Sequence, residues 1–458
     1  MLLSILLACK TTPEETIASL PVPEVWGATA LEDQDSDPDV VEVHLTASET
    51  EILWSDDADD ITEEVWAYND VVPGPLIQAW LGQTIRVVFT NDLPDETTIH
   101  WHGLRIDDEM DGVPAIQDPI QPGETFTYEF TPPDSGTFWY HPHVRTHEQI
   151  ERGLQGTLIV HEPDAPAVQE RMFVLDDVSL NGDGSFESFE IGHMTSVHGR
   201  FGNTLLANGV NALNEPLSAE LSADSSERWR IVNTANARTL YADVTNASWR
   251  VIAVDGTLLP EAYEPDWVQL PIGRRFDLEV IPDGSGEPVA LRVLLPNTSG
   301  SFDEYPVFEG AVSADAGGAG WQDWPAEALP EAPSSFEQEV SLVFNNEADG
   351  NLAVWTINGD TWDEHEAIQV TGSTDSEILI VEKSGAEHPF HLHGQLFQVL
   401  ERDGEPVDEP GLMDTVMVNP DEKLTIWTDF SNPGRWMTHC HILEHAEQGM
   451  MTEIVVSE

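Results

Sequence analysis

The sequence predicts an all-β protein assembled from several sandwich or barrel domains, and three observations carry that prediction. Apolar and polar residues alternate in short runs, as in "TIRVVFTND" (84–92), "TFTYEFTP" (125–132) and "RFDLEVIPD" (275–283). A period of two is the mark of a strand with one face buried. Pro, Gly, Asp and Asn punctuate the runs, and convincing amphipathic helices are few. At 458 residues the chain is also too long for one core, so two to four domains are expected.

Along the chain, the opening "MLLSILLACKTTPEET" carries an apolar run, Leu2 to Ala8, too short to span a bilayer. Its "LLAC" resembles the lipobox of a bacterial lipoprotein signal, with Cys9 as the lipidated residue. That resemblance implies an exported protein, periplasmic or at the cell surface and anchored at Cys9. Residues 1–39 then read as signal and acidic tether. Three blocks follow, 40–162, 165–312 and 335–458, separated by the linker-like "HEPDAPAVQ" and "SADAGGAGWQDWPAEALPEAPSS". Within the second block, "LNGDGSFESFE" (180–190) fails the spacing of a calcium loop and reads as a simple turn. No short repeat stands out.

Charge excludes whole classes of partner. Asp and Glu number 84 against 18 Lys and Arg, a formal charge of −66. Such a chain repels nucleic acid and anionic membrane surfaces. A lipid on Cys9 is the one membrane contact expected. Self-repulsion of this size favours a salty milieu, where ions screen it.

Ten of the 16 histidines fall into four clusters: "HWHG" (100–103), "HPH" (141–143), "HPFHLHG" (388–394) and "HCHILEH" (439–445). Single histidines such as His44, His161, His193, His198 and His365 read as ordinary core or surface residues, and His147 as a supporting or unrelated one. The clusters differ because each contains a His-x-His pair. Residues i and i+2 of a strand face the same way, so each pair aims two imidazoles at one point. Imidazole suits copper, zinc, iron and nickel. The four pairs are His100 and His102, His141 and His143, His391 and His393, His439 and His441. Eight nitrogens exceed one metal's needs; three metals would use them all.

By the same parity Cys440 points away from His439 and His441, and His388 away from His391 and His393. Cys440, His388 and His445 form a His₂Cys set, with Met450 available as a weak axial thioether. That is the donor set of a blue-copper electron-transfer site. The spacing 440, 445, 450 fits no single strand face, so the chain must turn after His441. One cysteine thus joins an electron-accepting metal to a metal cluster through its two bonded neighbours.

These four motifs, in this order, closely resemble the multicopper oxidase family, strongly over about 65–162 and 340–458 and weakly between. The resemblance implies three cupredoxin-like β-sandwich domains and four coppers. By motif position, His100 and His391 are the type 2 ligands. His102, His141 and His441 belong to one type 3 copper, and His143, His393 and His439 to the other. The type 1 copper takes His388, Cys440, His445 and axial Met450. Asp111, in "DDEMDGVP", falls where the family keeps a proton-delivering carboxylate. Many bacterial relatives carry a second glutamate directly after the His445 position; here Ala446 stands there, with Glu447 next as the candidate substitute.

The implied activity is oxidation of a small-molecule or metal-ion reductant coupled to reduction of dioxygen to water. A laccase-like oxidase of phenols or aromatic amines leads. A cuprous or ferrous oxidase is the alternative: Glu387, Asp414 and Glu447 lie near type 1 motifs and could draw cations, but no methionine-rich segment accompanies them. A scaffold that had lost catalysis would lack ligands, and all twelve are present. A two-domain nitrite-reductase-like protein would not carry eight paired histidines on one chain, and a structural zinc site is a closed four-ligand cage.

Overall fold

The computed structural model describes residues 20–458 except 22, 27–28, 54–60, 224, 298 and 314–319. The lipobox-like segment and Cys9 lie outside the described residues. Strands dominate, arranged in six sheets that fall into three pairs. The first pair spans strands from Val40–Leu53 to Gly156–His161, the second from Gln169–Val178 to Phe302–Val312, the third from Gln338–Asp349 to Met451–Ser457. This is the all-β, three-domain cupredoxin-like architecture expected.

Each pair repeats one mixed topology. Its first strand runs parallel to a later one in the same sheet: Val40–Leu53 with Thr84–Asn91, Gln169–Val178 with Glu227–Asn233, and Gln338–Asp349 with Ser376–Glu382. In the opposing sheet the last strand is again parallel to its neighbour: Gly156–His161 with Gly74–Trp80, Phe302–Val312 with Leu217–Leu221, Met451–Ser457 with Ile368–Thr371. Parallel neighbours need long crossovers, so each unit is closed by contacts distant in sequence.

The alternating runs form strands as their period requires, but not all face water. Thr84–Asn91 alternates strictly between buried and half-buried. Arg275–Pro282 does not; it is buried on both faces except at Ile281. The reason is charge pairing. Asp277 accepts from Arg228 and Arg230, and Glu279 from Arg250, so the polar face of this strand lies in an internal ion-pair network. Buried charges are tolerated only when paired in this way.

The expected tether needs correction over its later half. Trp26 stacks on Phe173 at 5.3 Å, and Leu31 packs into the first core. Glu24 bridges to Arg171, and Ala30 to Leu76. Apolar side chains spaced through the acidic stretch dock it onto the sheets. The 180–190 segment folds as the turn expected: Leu180 bridges Phe186, and Asn181 donates its backbone N–H to Ser185.

Candidate metal centres

His100 and His102 sit on a three-residue strand paired with Gly136–His141, with His100 directly opposite His141. In the third sheet pair, His391 lies opposite His439 on the strands His388–Leu392 and Gly434–Cys440. Directly opposed residues share a face, so each domain presents four imidazoles and the two quartets meet. Rings stack across the seam, His102 on His391 at 3.8 Å and His100 on His393 at 3.9 Å between centroids.

Three groups of ring nitrogens converge within 4.8 Å: His100, His102 and His391; His102, His141 and His441; His143, His393 and His439. The last two match the two type 3 sets, and His100 with His391 the type 2 set. The hydrogen bonds show which nitrogen of each ring is free. Nδ1 of His100 donates to the Asp111 carbonyl (3.0 Å), of His141 to Pro142 (2.9 Å), of His391 to Asp414 (2.9 Å) and of His439 to Cys440 (2.9 Å). These partners fix tautomer and ring angle, as outer partners of metal-bound histidines do.

Buried Nε2 atoms of His100, His141, His143 and His391 have no hydrogen-bond partner among the described residues, nor does Nδ1 of His102. His393 and His439, each with Nδ1 occupied as donor, point Nε2 at one another across 3.1 Å. Two lone pairs that close repel unless a cation binds them. Two nitrogens on one ion at about 2.0 Å stand roughly 3 Å apart, so the chain's donors fit metal. Burial, then repulsion from one another, pushes the pKa of His102, His141, His143, His391 and His393 well below the usual imidazole range. Neutral imidazoles are the form that binds metal.

Cys440 faces the opposite side of its strand, in the third core. Its Sγ lies 3.5 Å from His388 Nδ1 and 3.8 Å from His445 Nδ1. The chain does turn after His441, into the short helix Leu443–Glu447 that carries His445. Met450 is fully buried, and its backbone ties to both partners: its N–H donates to His445, and its carbonyl accepts from Cys440. The far nitrogens of both histidines are occupied. His445 Nε2 donates to the Val197 carbonyl at 3.2 Å, and His388 Nε2 to Ser384 Oγ at 3.0 Å. Trp355 stacks on His445 at 3.9 Å. Burial pushes the Cys440 thiol up, so ligation must displace its proton.

Asp111 is fully buried between two histidines of the cluster, with Oδ2 2.8 Å from His393 Nδ1 and Oδ1 3.2 Å from His100 Nδ1. Glu447 is exposed and pairs with His147 at 3.4 Å. It lines a cavity of about 80 Å³ that also touches His143, His439 and Ala446. His147 is itself buried and meets Glu447 at this contact.

Asp414 requires correction. It is 1% exposed and belongs to the histidine cluster, not to a cation-attracting surface. Arg275 grips both of its oxygens at 2.7 Å, and Oδ1 accepts from His102 Nε2 at 3.2 Å. Arg275 comes from the second sheet pair, as does Gly273, whose φ is +86° and where a Cβ would lie 2.7 Å from His102. Neither was visible in the histidine motifs. The "GRRF" run (273–276), which leads into the strand Arg275–Pro282, was their only trace.

Three mixed sandwiches, a buried His₂Cys set and a separate set of eight histidines define a protein of cupredoxin construction with donors for more than one metal. Comparison with known proteins agrees. Two multicopper oxidase profiles match residues 52–165 and 335–458. The chain is 30% identical to the multicopper oxidase mco of Staphylococcus epidermidis over 85% of its length and 83% of that protein's. It is 28% identical to Laccase-1 of Cryptococcus neoformans var. grubii, over 87% and 78%. The crystal structure of a multi-copper oxidase from Pseudomonas thermotolerans superposes with a TM-score of 0.79 at 30% identity, covering 91% of this chain and 99% of that one. The chain belongs to the multicopper oxidase family. It is accordingly a copper-binding oxidoreductase that uses dioxygen as acceptor.

Proposed function

We propose that this chain is a laccase-like oxidase with four coppers: a type 1 copper would be held by His388, Cys440, His445 and Met450, a type 2 copper by His100 and His391, and a type 3 pair by the remaining six histidines. One observation carries the reading. The end of the strand Gly434–Cys440 places Cys440 in one donor set and its neighbours His439 and His441 in the other. When bound, the coppers supply one-electron acceptance at the first site and four-electron reduction of dioxygen to water at the second.

The chain's own residues do the rest. His388 and His445 are at most 1% exposed, so a reductant stays outside the ligand shell. Its electrons enter through covering groups such as the Val197 carbonyl on His445. The backbone on either side of Cys440 then links the two sets by the shortest covalent route. Asp111 keeps one carboxylate oxygen with no hydrogen bond, beside His100, and holds a proton for the oxygen-reducing side. Glu447, at the small cavity beside His143 and His439, passes protons in from solvent in place of the glutamate missing at Ala446.

The likeness to Laccase-1 of Cryptococcus neoformans var. grubii supports the laccase-like reading, and phenols or aromatic amines are the reductants we assign to it. The test is the copper-loaded protein's spectrum with oxygen uptake on a phenol, on Cu(I) and on Fe(II). The intense blue absorption of a blue-copper site, with uptake fastest on the phenol, is expected. Faster uptake on either metal ion would make the chain a metal oxidase instead. Absence of the blue band would end the Cys440 assignment.

A further inference from the structure

Among the described residues, every arginine except Arg274 has a carboxylate oxygen within 4.0 Å. In a chain of charge −66, one arginine without an acidic partner stands out. Arg274 is 8% exposed. Its Nη1 donates to the Thr415 carbonyl at 2.8 Å, and its Nη2 reaches only the Met413 thioether at 3.3 Å, a weak acceptor. Its Nε is buried without any partner. A buried, uncompensated charge is costly enough that folds rarely keep one. Something other than the protein should supply the anion.

Arg274 lines a cavity of about 390 Å³ between the second and third sheet pairs. That volume lies within the range of small-molecule sites, about 300–1,000 Å³. Tyr263, Trp267 and Phe276 share its wall with Met413 and Met417. Trp267 is 45% exposed, and the Arg274 guanidinium sits 5.2 Å from the Phe276 ring centre. Two acids also line the space. Glu409 is held by Arg402 through both oxygens, and Asp408 is exposed to solvent.

From this arrangement we propose that the cavity binds small aromatic carboxylates, with Arg274 gripping the carboxylate and Trp267 and Tyr263 flanking the ring. A planar carboxylate matches the guanidinium fork. A single negative charge suits a wall where Asp408 stands nearby, and a dianion such as a phosphate monoester would be repelled more strongly. No copper ligand lines this cavity, so binding here is separable from the oxidase reaction. The strand Thr415–Val418 forms part of the wall and pairs with His388–Leu392, which places the occupant beside the element joining both metal sets.

The test uses the copper-loaded full chain in molar salt, where surface repulsion of anions is screened. Benzoate is titrated against tryptophan fluorescence and by calorimetry, beside benzamide, acetate and phenyl phosphate. One saturable benzoate site is expected, with benzamide and acetate weaker by about tenfold or more, the loss of a charge-assisted grip or of the ring. Arg274→Gln should weaken benzoate by about tenfold or more, and Trp267→Ala should also weaken it while the blue absorption stays native. The proposal falls if benzamide binds as well as benzoate, if phenyl phosphate binds better, or if benzoate affinity is unchanged in folded Arg274→Gln. If Arg274→Gln does not fold, Trp267→Ala decides alone: unchanged benzoate binding in it overturns the site.

Discussion

Replacing Arg275 with Met should disturb all three sheet pairs at once. Arg275 is fully buried at the start of a second-domain strand. Its Nε donates to the Thr137 carbonyl of the first domain at 3.0 Å, and its two Nη atoms hold Asp414 of the third at 2.7 Å each. Asp255 lies 3.6 Å away. Methionine keeps the length and loses the charge, leaving Asp414 buried opposite Asp255. Removing one partner of a buried pair costs about 3–5 kcal/mol. The pH dependence has a definite sign. Burial raises the Asp414 carboxyl pKa and Arg275 pulls it back down; without Arg275 it climbs further. A carboxyl whose folded pKa exceeds its unfolded value binds more protons when folded, so stability falls as pH rises between the two. The deficit of R275M should therefore stay small at about pH 5, below the value of about 6 at which Asp414 ionises in the intact protein, and grow toward about pH 8, where only the variant still keeps it protonated. Adding D414N removes the stranded charge and should restore part of the loss. Urea unfolding of the copper-free protein, followed by tryptophan fluorescence near both pH values, measures each variant. A deficit under about 1 kcal/mol near neutral pH, set against the 3–5 expected, would refute the argument. So would a double variant no more stable than R275M.

Asp111→Asn keeps the hydrogen bond to His393 but cannot hold a proton for transfer. Oxygen uptake should fall by about a hundredfold while the blue absorption is unchanged, a split read by comparing uptake with the spectrum. Gly273→Ala puts a methyl against His102 and a side chain at φ +86°; metal analysis should show copper lost from the histidine cluster, with the blue centre retained. Burial would raise Glu162, but Arg228, bonded at 2.9 and 3.1 Å, overcomes it and holds the carboxyl at about 2. Its contribution, roughly 3 kcal/mol, is present above about pH 4.5 and lost as pH falls toward 2. Glu162→Gln should therefore lower stability near neutral pH and flatten the acid limb of the unfolding curve.

Strand parity was enough to read most of the donor geometry. It separated Cys440 from His439 and His441, put His388 with Cys440, and required a turn before His445, because alternation is a local property of the backbone. What it could not reach depends on contacts between distant segments. Asp414 sits in the chain near type 1 motifs, yet the pairing of Thr415 with His391 carries it to the histidine cluster. Gly273 and Arg275 touch that cluster from another domain, and no spacing records an approach across a seam. The threefold repeat of parallel pairings is equally silent in sequence, since each crossover has its own length. Arg275–Pro282 shows a related limit: its alternation marks the strand, but its polar residues meet buried arginines instead of water.

Those arginines bear on the final prediction, that salt stabilises this protein. With so few basic residues, the chain places Arg228, Arg230 and Arg275 at 0% exposure, each joined to internal carboxylates. Lys383 and Lys423, by contrast, are exposed amid a large acidic excess. The surface is therefore nearly all of one sign, and its repulsion opposes the compact state. Salt screens exposed charges over about 10 Å at 0.1 M and about 3 Å at 1 M, and acts far less on buried pairs. Added salt should thus weaken the repulsion while leaving the internal network intact, so the two effects do not cancel. Melting temperature should rise steadily from low to molar sodium chloride, and rise as much in potassium chloride, since screening depends on charge and not on the ion's identity. A melting temperature that is flat or falls with salt would mean that exposed ion pairs, rather than the buried arginines, hold the acidic surface together.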